Sequence, residues 1–200
     1  MFPPEIQNFI DSFSKLPAIG PRMATRLSFF IASLPEHEQT RIREALNGLK
    51  SLNRCPQCFF VKSRNEKMCG FCSDPKRNPH IVAIVEKDTD VFSIEKTGKF
   101  FGHYCVIGEL DHRNPLGEMQ KQRLQKLKNR IIEESGEGTP TEVIIALGPN
   151  TFGDFVSELI RQGFKGTPVR ITRLGRGIPT GGDIEFADEE TLRNSLENRK

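Results

Sequence analysis

The sequence has no long apolar run. Its longest, around Leu27 to Leu34, falls far short of the roughly 20 residues needed to span a bilayer. Its opening, Met1-Phe2-Pro3-Pro4-Glu5, has neither the basic stretch nor the apolar core of a secretion signal. We therefore expect a soluble, cytoplasmic protein, in a compartment that keeps cysteines reduced. No internal repeat or low-complexity segment is present. The four histidines, His37, His80, His103 and His112, share no ligand spacing and are read as surface or core positions. Gly148 to Gly153 has the glycine spacing of a phosphate loop, but Asp154-Phe155 follows where Lys and Ser/Thr must reach the phosphates and magnesium. Nucleotide hydrolysis is not expected.

What is present begins with cysteine. Cys55-Pro56-Gln57-Cys58 and Cys69-Gly70-Phe71-Cys72 are two Cys-x-x-Cys pairs ten residues apart, a spacing that lets four thiolates converge on one tetrahedral ion. With sulfur at every position no site is left for water, so the cluster reads as a closed structural zinc site, one ion per chain. Disulfide or redox use and an iron–sulfur centre are the alternatives. Arg54, Lys62, Arg64 and Lys67 surround the two knuckles. Cys105, in the apolar stretch Tyr104 to Ile107, reads as a small buried hydrophobe.

Two hundred residues, 36% hydrophobic, can bury one moderate core plus a satellite that needs a staple to fold. The charge is uneven. Residues 1–79 carry 12 Lys and Arg against 7 Asp and Glu, and residues 80–200 carry 17 against 19. In the basic part, Ile6, Phe9, Ile10, Phe13 and Leu16 recur at helical spacing from Pro4 to Leu16. The breaker-rich turn Leu16-Pro17-Ala18-Ile19-Gly20-Pro21 leads into a second helix, Arg22 to Ser33, with Pro21 suited to its first position. This is a helix-hairpin-helix pattern, whose chemistry is phosphate capture. Gly20 lets a DNA backbone come close, free N–H groups at the helix start point at the phosphate, and Arg22 and Arg26 add sequence-independent charge contacts from one helix face. Ala18 stands where such hairpins usually carry glycine. A further amphipathic helix, with Ile42, Ala45, Leu46, Leu49 and Leu52 on one side, is read as running straight into the knuckles, so the first eighty residues look like a helical DNA module stapled by zinc.

Beyond Pro79 the pattern changes. Strands are expected at Ile81–Val85, Tyr104–Ile107, Val143–Leu147 and Val169–Thr172, with helices at about Asp90–Lys96, Gln120–Glu134 and Phe155–Gln162. Continuous apolar strands alternating with helices predict a mainly parallel, three-layer α/β domain. The expected divisions are 1–53 (helix-hairpin-helix), 54–79 (zinc knuckle), 80–172 (α/β) and 173–200 (C-terminal interface segment).

The order of these features is itself informative. Hairpin Leu16–Gly20, four cysteines, a strand ending Ile84-Val85-Glu86, the turn Thr97 to Gly102 and the closing run Thr172 to Phe186 resemble the RecR family of bacterial recombination mediators from end to end. The resemblance implies a Toprim-like α/β domain, a Walker-B-like closing segment, DNA binding without sequence preference, and dimers or ring-shaped tetramers. It also implies action with RecO, and also RecF, in helping RecA replace single-strand-binding protein at gaps.

Toprim enzymes use a glutamate after one strand and an Asp-x-Asp after another, because clustered carboxylates must hold magnesium against phosphate. Glu86 meets the first requirement. After Leu147 comes Gly148-Pro149-Asn150-Thr151-Phe152-Gly153-Asp154, with no Asp-x-Asp and with Phe152 where the family usually carries an acid. We therefore expect no enzyme activity. Asp88 and Asp90 read as helix-start acids. Glu86 and Asp154 are what remains of the acidic patch that, by resemblance, contacts RecO. The alternatives are a Toprim-type nuclease or primase-like enzyme, and a zinc-ribbon regulator that reads base edges. Asp183 and Glu185 read as part of a turn leading into an interface strand.

Overall fold

A computed structural model of the chain describes residues 2–134, 141–178, 180–197 and 199. Two compact units divide it, Met1–Leu52 and Asn53–Lys200. Among the described residues no helix is long and apolar enough to cross a membrane.

The first unit is helical: α1 (Pro4–Phe13), α2 (Pro21–Ser33) and α3 (Glu36–Gly48). Proline opens both α1 and α2, where its missing N–H costs nothing. Helix α1 stops three residues short of Leu16, with Ser14 as its C-cap, so Leu16 lies in the turn and is exposed rather than on the buried face. Only Ile10, Ala24 and Ser28 are buried in the helices of this unit. Four of its phenylalanines pair: Phe9 stacks on Phe13 at 3.9 Å, and Phe2 meets Phe29 edge-on at 5.8 Å.

Helix α3 corrects the amphipathic reading. It ends at Gly48, a single 3-10 turn covers Leu49–Ser51, and a strand begins at Leu52. Leu49 and Leu52 therefore leave the helix, and no residue of α3 is buried. Helix propensity gives out at Asn47-Gly48, which the apolar periodicity did not register.

The second unit opens on the hairpin β1 (Leu52–Arg54) and β2 (Val61–Ser63), followed by the single turn α4 (Gly70–Ser73). A four-stranded sheet follows, in the order β4-β3-β5-β6, parallel throughout. Its strands are β3 (Asn78–Val85), β4 (Gly102–Val106), β5 (Thr141–Ala146) and β6 (Val169–Arg173). Helices α5 (Asp88–Glu95), α6 (Glu118–Glu134) and α7 (Thr151–Gly163) connect them, and α8 (Glu189–Glu197) closes the described chain. Val82 to Val85 and all of β4 are buried, as a strand covered on both faces requires. Gly102 is needed for its tight pairing with β3: a Cβ there would lie 2.5 Å from the Ile81 carbonyl oxygen. Cys105 is fully buried, as read.

The knuckle belongs to this α/β core. Cys55, Cys58, Phe59, Phe60 and Cys69 form one apolar cluster with Val82–Val85 and Tyr104–Ile107. The Val106 N–H bonds the Cys58 carbonyl at 2.8 Å, and Asp88 accepts from both Arg54 and the Val61 N–H. Phe60 packs edge-on against Phe92, and Phe71 against Tyr104. The expectation of zinc stapling the helical module is corrected accordingly. Phe59, Phe60 and Phe71 inside and beside the Cys pairs supply an apolar face, and the sheet edge at β4 is where that face is buried.

Candidate nucleic-acid interface and metal centre

The hairpin between α1 and α2 is held by short backbone bonds, Leu16 N–H to the Phe13 carbonyl and Ile19 N–H to the Leu16 carbonyl. Ala18 takes a left-handed conformation, φ 63°, at a cost of about 1–2 kcal/mol for a residue with a Cβ. Gly20 is the N-cap of α2 with extended backbone, φ −82° and ψ 169°, which any residue adopts. A Cβ at Gly20 would meet nothing within 4 Å. Glycine here keeps open space at the helix start rather than relieving strain inside the chain.

That start is unusually available. No side chain caps it, its first turn carries no acid, and Pro21 has no N–H. The first intrahelical bond runs from the Ala24 N–H to the Gly20 carbonyl, so the N–H groups of Arg22 and Met23 face outward with the positive end of the helix dipole. Arg22 and Arg26 are both exposed. The sequence thus brings Gly20, Arg22 and Arg26 to one site with the geometry of anion capture.

The four sulfurs also converge. The Sγ atoms of Cys55, Cys58, Cys69 and Cys72 all lie within 4.8 Å of one another, and Cys58 and Cys69 are 3.3 Å apart. Around an ion with Zn–S bonds of about 2.3 Å, a regular tetrahedron spaces sulfurs by about 3.8 Å, so the set fits zinc. Cys55 and the left-handed Phe59, φ 63°, shape the first knuckle through the Phe59 N–H to Cys55 carbonyl bond. Cys69 caps α4 and places Cys72 within its turn. Hydrogen bonds from Cys58 and Cys72 hold the Cys69 thiol well below its usual range. Its bonds to Cys69 and Cys72, then burial, push Cys58 well above its own. Two neighbouring thiols pushed in opposite directions cannot both give up their protons easily. A divalent ion removes that conflict.

Of the basic residues around the knuckles, Arg54 is paired with Asp88 at 2.7 Å, and Lys62 is buried with its Nζ on the Ser63 and Glu66 carbonyls. Those two charges are used inside the chain.

The sheet order reverses between β3 and β5, which places Glu86 and the 147–150 loop ahead of α7 together at the strand ends where such folds bind ligands. Both acids, Glu86 and Asp154, already have partners within the chain. Glu86 accepts the Leu110 N–H at 3.3 Å and pairs with Lys87 at 3.7 Å. Asp154 is held by Arg173 at 2.6 Å and by Arg176, which also reaches Glu190 at 3.0 Å. The Arg176 hydrogen bond, against burial and aided by Arg173, keeps the Asp154 carboxyl below the ordinary carboxylate range. These pairings are separated by 19 and 22 residues, and nothing local in the sequence announced them. Phe152 stacks on His112 at 3.9 Å. Asp88 and Asp90 do lie in the first turn of α5, and the Asp90 carboxylate accepts the Lys87 N–H.

An anion-ready helix-hairpin-helix and a four-sulfur centre built into a parallel α/β unit define the class of this protein. Residues 6–49 match the family described as "RecR, helix-hairpin-helix", and residues 177–200 match "RecR, C-terminal". The chain is 36% identical to the recombination protein RecR of Bifidobacterium adolescentis, covering 98% of this chain and 95% of that one. It is 37% identical to the RecR proteins of Acidothermus cellulolyticus and Mycolicibacterium smegmatis, in each case over 100% of this chain and 98% of the relative. The chain belongs to the RecR family of recombination proteins, and its role is in DNA recombination and repair.

Proposed function

We propose that the chain is a non-enzymatic DNA-binding scaffold that acts with RecO, and also RecF, to help RecA onto gaps covered by single-strand-binding protein. The observation that carries the DNA contact is the uncapped, acid-free start of α2 with Gly20, Arg22 and Arg26 exposed around it. All of these groups address phosphate, so binding is independent of base sequence. One zinc ion, held by Cys55, Cys58, Cys69 and Cys72, shapes the knuckle and takes no part in chemistry, since four sulfurs leave no open position. Exposed Phe29, Phe30, Ile184 and Phe186 support assembly into dimers or rings. Glu86 and Asp154 are the partner-facing acids in this reading, with Asp154 largely neutralised by Arg173 and Arg176.

A Toprim-type enzyme is disfavoured by that neutralisation. An acid engaged by two guanidinium groups is poorly placed to hold magnesium, and Glu86 alone is too little for phosphoryl chemistry. The test is binding of unrelated DNA sequences by the wild type and by the Arg22→Ala/Arg26→Ala protein. Affinity should fall about equally for all of them, and the salt dependence should become shallower by about one unit per lost contact. A sequence-selective loss would favour the regulator, and magnesium-dependent cleavage abolished by Glu86→Gln would favour the enzyme.

A further inference from the structure

Between α6 and α7 runs a groove of about 290 Å³ that none of the sites above uses. Leu124, Ile160 and Phe164 form its floor, each buried in the core, and half-buried Leu159 stands at its edge. Lys121 and Lys128 stand on the rim, and among the described residues no acid lines it. Lys128 donates one N–H to the Gly163 carbonyl at 2.8 Å, which fixes the ammonium at the mouth and leaves it further donors. Lys121 is paired at 3.8 Å with Glu118, both side chains mostly exposed, a contact worth little.

An apolar cleft under two ammonium groups selects its occupant by charge. The volume lies at the small end of ligand sites, which run from about 300 to 1,000 Å³, and suits an anchor side chain rather than a folded surface. We propose that this groove docks an acidic peptide segment of a partner protein. A bulky apolar side chain of the peptide seats on Leu124, Ile160 and Phe164, and neighbouring carboxylates meet Lys121 and Lys128. Nucleic acid is the poorer fit, because the floor is aliphatic apart from Phe164, which is 3% exposed and offers little face for a base to stack on. The inference stands apart from the DNA reading.

The test uses the full-length protein and a fluorescein-labelled peptide with leucine and phenylalanine flanked on both sides by aspartates, read by anisotropy. Saturable binding is expected below about 100 µM, weakening as salt rises. Lys121→Glu/Lys128→Glu should lose at least about tenfold, and the same peptide with lysines in place of aspartates should then bind that variant, a rescue that mere unfolding cannot give. If the double variant melts early, Leu159→Gln takes its place and should weaken binding by about threefold or more. Equal binding of a peptide with serines replacing its apolar residues would overturn the proposal, as would unchanged affinity in the variants. A change of oligomeric mass in Lys121→Glu/Lys128→Glu would assign the groove to a second copy of the chain instead and equally overturn it.

Discussion

Helices α2 and α7 both begin after glycine-bearing loops, and they treat their first N–H groups in opposite ways. At α7 the Asn150 side chain accepts the Gly153 N–H at 2.7 Å, the Asn150 carbonyl takes the Asp154 N–H, and the first turn carries Asp154 itself. At α2 no side chain caps the start, no acid lies in the first turn, and Arg22 follows at once. One start is satisfied from within, and the other is left open. Glycine spacing cannot tell them apart; what decides is whether the N-cap residue brings its own acceptor. The units around them differ in the same sense. The helical unit buries little and leaves Phe29 and Phe30 half exposed or more, while the second unit closes a continuous core on its sulfurs. The outward-facing unit suits contacts with other molecules, and the inward-facing one supplies the framework.

The sharpest way to break the comparison is to remove the metal proposed for the second unit. Because Cys55, Cys58 and Cys69 share one apolar cluster with β3 and β4, and Cys72 packs against it, Cys58→Ser should cost several kcal/mol, on the order of metal-coupled folding. Amide exchange should rise across residues 53–134 far more than in α1 and α2. Unchanged melting of the variant, together with no zinc in the purified wild type, would remove the staple.

Next in size is a pair of glycine substitutions. A Cβ at Gly153 would lie 2.0 Å from the Gly148 carbonyl oxygen, a backbone atom that cannot swing aside, so Gly153→Ala should destabilise by about 1–3 kcal/mol. Gly20→Ala places its methyl in open space, and its weaker N-cap preference, about 0.5–1 kcal/mol, is offset by the freedom that alanine removes from the unfolded chain, about 0.4–1 kcal/mol, so a near-neutral change is expected. DNA affinity should show the reverse order, with Gly20→Ala the more damaging, if the phosphate is held at the start of α2 as proposed. Equal thermal losses in the two variants would erase the distinction between the two helix starts.

How far these features were legible follows from range. The strands were readable within one to three residues because the sheet is parallel and covered on both faces, so that runs such as Ile81–Val85 are apolar throughout. The cysteine cluster was readable because two short turns fix it locally, and the hairpin because Pro21 and Gly20 punctuate it. The knuckle's allegiance was not, since it depends on Phe60 and Phe71 finding β4 and α5. Nor was the quenching of Asp154, which needs Arg173 and Arg176 brought round by β6. The long apolar face through Leu52 was misread because periodicity continues across Gly48 while the helix does not.

Ala18→Gly is a smaller and opposite effect. Relief of the left-handed strain, about 1–2 kcal/mol, outweighs the added freedom of glycine in the unfolded chain, about 0.4–1 kcal/mol. A net gain of roughly 0.5–1 kcal/mol, seen as a higher Tm of the helical unit, is expected. A lower Tm would mean that the hairpin tolerates Ala18 without strain.

The smallest effect concerns Asp154, whose charge satisfies two arginines within the inward-facing unit. Its folded-state pKa is depressed, chiefly by the Arg176 hydrogen bond. The sign follows from that direction: the carboxylate's contribution is present in full above the unfolded value, near 3.9, and is lost as pH falls through the lower folded value. The Asp154 side chain is 33% exposed, so solvent screening holds the contribution to about 0.5–1 kcal/mol. Asp154→Asn should therefore lower stability by that amount in urea titrations at pH 7 and by nearly as much at pH 5. The gap to wild type should begin to shrink below about pH 4, as the unfolded carboxylate takes up its proton, and should close only below the lower folded value. A difference that stays constant down to pH 3 would show that the carboxamide loses packing rather than charge, and the contrast between a quenched acid at α7 and an open cationic start at α2 would then rest on Asn150 alone.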